Sequence, residues 1–357
     1  MISVFRYPKF AEKQAPIIKN RRQQPQHKNM NYQLDLFSEP QAITNPVEII
    51  KNHAGNPEQK LIVSWGVGTN STAMLILCKK LGIRPDYILF ADTGGESYET
   101  YEYLEYFQEW LVKNDMPKPH VVRASYGNTS EKRKTYASAK KTFKALLFCD
   151  SVEVLTYVIW WVGVTGATPK TLEESCLITQ TLPSMAYNKK ACSRQWKIEP
   201  QDRFAKEQGL FADGQKVRKF IGYHAGEWSR AVNKKSKQLM LEDEHYIYEY
   251  PLIKYGINQL ACNFLIQSEG LRLPPKSSCF FCPNRTPSEI LALPEEMRER
   301  GNLIERTNEM GIHFQPGTSI KGLGRNVRWQ SLGELTPLEA TLLEQKYRQC
   351  SCVDFDE

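Results

Sequence analysis

From residue 60 onward, blocks of apolar residues change their period in a regular order. The runs KLIVSW (60–65), DYILFAD (86–92) and HVVRAS (120–125) are short, rich in β-branched and aromatic residues, and predict strands. Between them, Asn70–Leu81 and Ser97–Val112 place apolar residues at helical spacing. A strand–helix rhythm of this kind predicts an α/β fold with a mainly parallel, doubly wound sheet and a ligand at the carboxyl ends of the strands. Further along, KFIGYHA (219–225) predicts another strand, and Ile257–Glu269, Pro287–Arg300 and Pro337–Arg348 predict helices. Residues 126–185 are less regular, with basic KRK and KK pieces among apolar patches, and read as a substrate-side insertion or lid. The chain shows no internal repeat, and its longest apolar stretch, VLTYVIWWVGV (154–164), falls short of the roughly 20 residues of a membrane span.

The most informative junction is the turn SWGVGTNST (64–72), between the first strand and its helix. A tight turn uses glycines for positive φ, and Asn70, Ser71 or Thr72 could cap the helix. A glycine- and hydroxyl-rich turn into a helix N-terminus is also an anion cradle, because free N–H groups and the helix dipole face the same point. A Walker-type GxxxxGK[ST] string occurs nowhere in the chain. The dinucleotide fingerprint GxGxxG is matched only in part, with Ser71 in place of its third glycine. The second strand ends in Asp92-Thr93-Gly94, followed by Glu96, Glu99 and Thr100, and this reads as an acidic first helical turn or as a ribose-binding acid.

Composition changes this picture at the ends of the chain. The 357 residues are 41% hydrophobic and carry a formal net charge of +7. Residues 1–31 hold seven Lys or Arg against Glu12 alone, so almost all of the excess belongs to an N-terminal arm. With Pro8, Pro16, Pro25 and a QQPQ run, residues 1–45 read as a disordered tail, either a nucleic-acid contact or simply solvated, with Met30 as an alternative start. The arm lacks the apolar core of a secretion signal, so the chain is expected to be cytoplasmic and without a membrane partner. Nine cysteines, an odd number, favour metal or thiol chemistry over a disulfide framework. Cys279-Phe280-Phe281-Cys282 is a CxxC, open to reading as a zinc or iron–sulfur half-site, a dithiol couple or two core residues. Cys78 and Cys262 sit in apolar helical patterns and read as core, and Cys149 has no assigned role.

Several of these stretches resemble one family. SWGVGTNST lies without a gap over the phosphate loop SFSGGKDST of the PP-loop ATP pyrophosphatases, with Thr69 and Asn70 replacing its Lys and Asp. DTG (92–94) followed by Glu99-Thr100 is similar to the PAPS-reductase-like branch. IGYHAGEWSR (221–230) is similar to its G-R-R-x-E segment, with His224 in place of an Arg, and ACSRQWKIEP (191–200) to its C-x-x-x-K-x-x-P segment. YPLIKYG (250–256) and SSCFFCP (277–283) look like its PL-x-x-W segment and terminal cysteine pair, and all the pieces keep their order over roughly residues 58–290.

The resemblance implies a sheet of the adenine nucleotide alpha-hydrolase type over residues 46–275, followed by a cysteine-bearing helical part over 276–357. It implies ATP held by Ser64, Gly66, Gly68, Asn70, Ser71, Thr72, Asp92, Thr93, Gly94 and Arg194, with Mg²⁺ sharing the phosphate charge and Asp92, Lys197 and Glu227 as catalytic groups. The implied metal ligands are Cys176, Cys192, Cys279 and Cys282, for a 4Fe-4S cluster or, alternatively, zinc. Adenylation of an acceptor followed by sulfur transfer from a donor protein is the implied reaction, with nucleic acid as acceptor class. The alternatives are a sulfonucleotide reductase and a non-catalytic nucleotide sensor. Reductases of the family carry a C-terminal ECGLH segment that this chain lacks, although Cys350 and Cys352 offer tail thiols. In the tail, Gln33-Leu34-Asp35-Leu36-Phe37 resembles the peptide that docks on the bacterial sliding clamp, and also reads as an apolar staple to the chain's own domain.

Overall fold

A computed structural model describes residues 45–124, 171–179, 181–183, 191–233, 236–312, 322–323, 328–333 and isolated positions from 335 to 345. The basic arm, the Gln33–Phe37 peptide, most of the 126–185 insertion, and Cys149, Cys350 and Cys352 lie outside the described residues. Five strands, β1 (Leu61–Ser64), β2 (Tyr87–Asp92), β3 (Pro119–Arg123), β4 (Val217–Phe220) and β5 (Tyr246–Glu249), form one sheet in the order β3-β2-β1-β4-β5. Every pairing is parallel, and Ile62 of β1 lies between Tyr87 of β2 and Lys219 of β4. The order reverses between β1 and β4, which opens a crevice beyond their carboxyl ends.

Alternate residues of the strands bury into two different cores. Leu61, Val63, Phe90 and Phe220 pack on one face against α2 (Thr69–Lys80), α3 (Tyr98–Lys113) and α6 (Gln259–Ser268). Ile62, Leu89, Val217 and Tyr246 pack on the other against α5 (Glu199–Glu207). Helix α2 is buried from Thr72 to Cys78 without a polar face, as expected of a helix enclosed by sheet and neighbouring helices. Cys78 and Cys262 are buried in this core. Asn45 caps the short helix α1 (Pro46–Asn52). A third core joins α4 (Leu172–Thr179) to α7 (Pro287–Leu291), α8 (Glu295–Ile312) and α9 (Trp329–Leu332). Among the described residues, no helix is long and apolar enough to cross a membrane.

Three elements differ from the sequence expectation. The strand expected at 219–225 is β4, which begins at Val217 and ends at Phe220, and a 3-10 turn follows at Ala225–Ala231. The helix expected over 287–300 is broken in two, because Pro294 lacks an amide donor and disfavours helical φ/ψ at Leu293. Its second half then continues to Ile312. β5, with its four residues YIYE, falls in a stretch without a predicted strand.

Candidate functional site

The turn after β1 is held by Trp65. Its backbone N–H donates to Leu89 O at 2.9 Å and its buried indole N–H to Thr72 Oγ1 at 3.0 Å. Val67, fully buried, adopts φ +58°, a left-handed conformation that a β-branched residue keeps only where its surroundings enforce it. Helix α2 then starts at Thr69 with Gly68 as N-cap and no side-chain cap. The candidate capping groups are turned elsewhere. The hydroxyl of Thr72 receives the indole, Ser71 Oγ donates to Gly68 O and accepts from Gly66 N (both 3.2 Å), and Asn70 Nδ2 donates to Glu227 Oε2 at 2.9 Å. The orphan N–H groups of the first turn therefore lack the side-chain partners that a merely structural turn would supply. Asn70 Oδ1, next to them, is buried without a partner. Ser64 Oγ donates to Gln201 Oε1 at 2.7 Å, and Gly66 is exposed.

The other wall of the crevice comes from the chain after β4. Gly222 passes so close that a Cβ there would lie 2.9 Å from Ser71 Cα, so only glycine lets the chain pass the start of α2 here. Glu227 follows in the 3-10 turn. It accepts from Asn70 and from His224 N (3.3 Å), and Arg230 NH1 donates to its Oε1 at 2.6 Å. His224 caps that turn by accepting from Gly226 N at 3.0 Å.

Asp92, only 4% exposed, has both carboxylate oxygens engaged. Gly94 N and the Tyr101 hydroxyl donate to Oδ1, both at 2.8 Å, and Arg123 Nε donates to Oδ2 at 2.9 Å. Burial and the adjoining Asp92 carboxylate push the Tyr101 hydroxyl far above its ordinary pKa, so it stays a donor. Asp92 thereby pins the DTG turn to β3. Thr93 Oγ1 donates to Glu96 Oε1 at 3.1 Å and lies 3.2 Å from Cys279 Sγ. Lys197 Nζ meets the same Glu96 oxygen at 3.2 Å. Burial alone would lower the Lys197 pKa, but the Glu96 carboxylate and the Cys279 and Cys282 sulfurs outweigh it and raise the pKa above the ordinary value. Lys197 stands in a π-helical turn, Arg194–Ile198, of the kind that recurs at functional sites. Arg194 of the same turn is exposed and reaches Glu199 at 3.5 Å.

Cys176, Cys192, Cys279 and Cys282 all belong to the third core, where Cys176 and Cys279 are buried and the other two partly buried. Burial pushes the Cys176, Cys192 and Cys279 thiols up, and the Cys192 thiol is raised further by Cys282. Among the described residues, no three His, Cys, Asp or Glu side chains converge closely enough to hold a metal ion. The four thiols are therefore neighbours without forming a closed ligand set. Cys279 is instead engaged with Thr93 and Glu96, the latter through a 3.8 Å contact and an isolated antiparallel bridge.

The structure thus gathers Ser64, Gly66, Gly68, Asn70, Ser71 and Glu227 at the β1–β4 crevice, and Thr93, Lys197 and Cys279 around Glu96. Thr72 and Asp92 serve as buried struts, Gly94 provides the positive-φ turn beside Asp92 (φ +71°), and Arg194 points to solvent. Two site residues carried no separate signal in the sequence. Glu96 looks like one acid of a helical turn, and Ser277, whose hydroxyl lies over Gly68, looks like a flank of the CxxC. Neither a family model nor a curated protein matches the chain. Among solved structures it is similar to the crystal structure of phosphoadenylyl-sulfate (PAPS) reductase from Candida auris in a phosphate complex. The two are 17% identical over 64% of this chain and 81% of that one, with a TM-score of 0.30.

Proposed function

We propose that this chain binds ATP across the ends of β1, β2 and β4 and cleaves it between the α- and β-phosphates, adenylating an acceptor for sulfur transfer. The observation that carries the reading is the helix α2 N-terminus, which opens at the β1–β4 switch point with its four adjoining hydroxyl and amide residues and none of them capping it. The order of the resembling segments gives the reading its chemistry. An oxygen of the acceptor attacks the α-phosphorus, the bond to the β-phosphate breaks, and pyrophosphate leaves against the α2 N–H groups and Ser71. Mg²⁺, when bound, would share the phosphate charge. A persulfide of a donor protein then displaces AMP, and a second thiol releases the thiolated product as the donor becomes a disulfide. Asn70 and Glu227 orient the nucleotide side of the crevice, and Asp92 fixes the second strand end.

The acceptor class proposed is nucleic acid, supported by the basic arm. The Gln33–Phe37 peptide is proposed to dock on a sliding clamp, and the setting is cytoplasmic. The four thiols of the third core are proposed to hold a 4Fe-4S cluster, with zinc as the second choice, although they do not converge into a ligand set in this structure. What supports this is that three separate segments bring them into one core, and no catalytic step is assigned to the group.

Incubation of anaerobically purified protein with α-labelled ATP and DNA or RNA tests the reading. Pyrophosphate and labelled, adenylated nucleic acid are the expected products, blocked by an α,β-methylene analogue, with AMP released once a persulfide donor is added. Release of ADP and phosphate overturns the cleavage site, tight ATP binding without pyrophosphate favours a sensor, and sulfite from PAPS favours a reductase. Iron, sulfide and zinc analysis of the same preparation tests the metal centre, with loss in Cys279→Ala expected.

A further inference from the structure

The 3-10 turn Ala225–Ala231 brings Glu227 to the start of α2, and one histidine fixes it there. His224 Nδ1 lies 3.0 Å from Gly226 N. A backbone N–H only donates, so this ring nitrogen is the acceptor and the imidazole is in its neutral form. The ring proton then sits on Nε2, which faces Glu227 Oε2 at 3.8 Å. The ring is held closely on the turn, since a Cβ on Gly226 would fall 2.9 Å from its Cε1 and 3.3 Å from Nδ1. Main-chain groups complete the box: His224 N donates to Glu227 Oε2 at 3.3 Å, and Glu227 N to His224 O at 2.8 Å. The same Oε2 accepts from Asn70 Nδ2 at 2.9 Å. The direction in which Asn70 points, away from the α2 N–H groups, is thus fixed through Glu227 by His224.

We infer that His224 is a positioning residue of the crevice: its neutral imidazole holds Glu227 on Asn70, and protonation loosens that hold. The consequence for nucleotide rests on the ATP-binding reading, whereas the geometry does not. Histidine is the side chain whose charge ordinarily changes between about pH 5 and 8. A proton on Nδ1 would set two donors against each other across 3.0 Å, Nδ1–H and Gly226 N–H. The ring would then turn its N–H groups to the Glu227 carboxylate, in competition with Asn70. The surrounding groups do not supply this switch. Arg230, which donates to Glu227 Oε1 at 2.6 Å and lies 4.2 Å over the Tyr223 ring, stays a cation. Burial and, less strongly, Glu227 push the Cys262 thiol of α6 up to about 12, and burial raises Tyr250, so both stay neutral. The first turn of α2, TNST, has no ionisable side chain.

The test follows the Asn70 side-chain amide in full-length protein labelled with ¹⁵N-asparagine, assigned by its loss in Asn70→Ala, together with ATP affinity at about pH 8. In the parent protein that signal is expected to shift between about pH 8 and 5.5. In His224→Asn, whose Oδ1 keeps the cap acceptor on a side chain that does not titrate, it is expected to stay in place. His224→Leu removes the acceptor and Gly226→Ala pushes the ring off the turn. Either is expected to move the signal at pH 8 and to weaken ATP binding about three- to tenfold, with His224→Asn near the parent. An Asn70 signal that ignores pH in the parent, or titrates alike in His224→Asn, overturns the inference. So does a His224→Asn variant that binds ATP as weakly as His224→Leu, because the ring itself would then meet the nucleotide. If the parent binds no ATP, the nucleotide reading fails, and the amide signal decides the role of His224 by itself.

Discussion

Gly68 offers a direct test of how the cysteine-bearing segment is joined to the phosphate-side loop. Its φ of −107° and ψ of 170° are extended values open to any residue, so alanine brings no backbone strain. Alanine would, however, place its Cβ 2.4 Å from Ser277 Oγ and 2.9 Å from Ser277 Cβ. Rotating the serine relieves the first contact but not the second, so main chain must move on one side. Overpacking of this kind costs about 1–3 kcal/mol. Two smaller effects oppose each other: alanine is a poorer N-cap than glycine, while a glycine-to-alanine change stiffens the unfolded chain by about 0.4–1 kcal/mol. A double-mutant cycle with Ser277→Gly removes both and isolates the clash. In urea unfolding, Gly68→Ala is expected to lose about 1–3 kcal/mol, and Gly68→Ala with Ser277→Gly to recover most of it. Gly66→Ala is the control, since its added Cβ would come no nearer than an ordinary 4.0 Å to Ser277 Oγ. Isothermal titration with ATP should show weaker binding by Gly68→Ala, restored in the double variant, because the displaced residue begins α2. A coupling energy near zero would refute the steric argument.

Thr72→Val keeps the shape of the side chain but leaves the Trp65 indole N–H unpaired, and should cost about 1–3 kcal/mol in the same unfolding assay, with Thr72→Ser near the parent protein. Arg230→Gln leaves Glu227 uncompensated beside the α2 N-terminus, so ATP affinity should fall by about two- to fivefold, and less at high salt. At Asp243, burial opposes ionisation, but hydrogen bonds from the Tyr248 hydroxyl and the His245 and Tyr246 amides win and lower its pKa below 3.8. The stability it contributes is full above 3.8 and lost as pH falls through the lower folded value, so the advantage over Asp243→Asn in urea unfolding should shrink below about pH 4.

The parts of the fold legible in the sequence are those with a strong local period. Strands β1 to β3 and helices α2, α3 and α6 repeat their apolar residues regularly enough to fall within a few residues of expectation. β5 was hidden because YIYE is short and follows the acidic LEDEH, and its strand identity comes from pairing with β4. The close approach of Gly222 to Ser71 is also non-local, since nothing in KFIGYHA announces which residue its glycine must pass. At the site, residue types betrayed the turn, but not the use of each side chain. Asn70, Ser71 and Thr72 look like caps, and only the positions of Glu227, Gly68 and Trp65 explain why none of them caps α2.

The same geometry explains how the turn can do without a lysine. Lys197, a catalytic group in the family resemblance, is paired with Glu96, and Arg194, the cation the resemblance implies for the nucleotide, reaches Glu199 at the surface. What remains at the turn is the positive end of α2 with its uncapped N–H groups. A carboxylate there would work against an anion, and Glu227 lies within hydrogen-bonding distance of Asn70. Its charge is offset by Arg230 at 2.6 Å, which keeps the crevice close to neutral apart from the helix end. N–H groups in such a setting act by direction more than by net charge, favouring oxygens that lie on their axes. A lysine would gather phosphate from any angle as a point charge. On the proposed ATP-binding reading, the lysine-free turn therefore gives up long-range attraction and gains selectivity for where the phosphate oxygens sit.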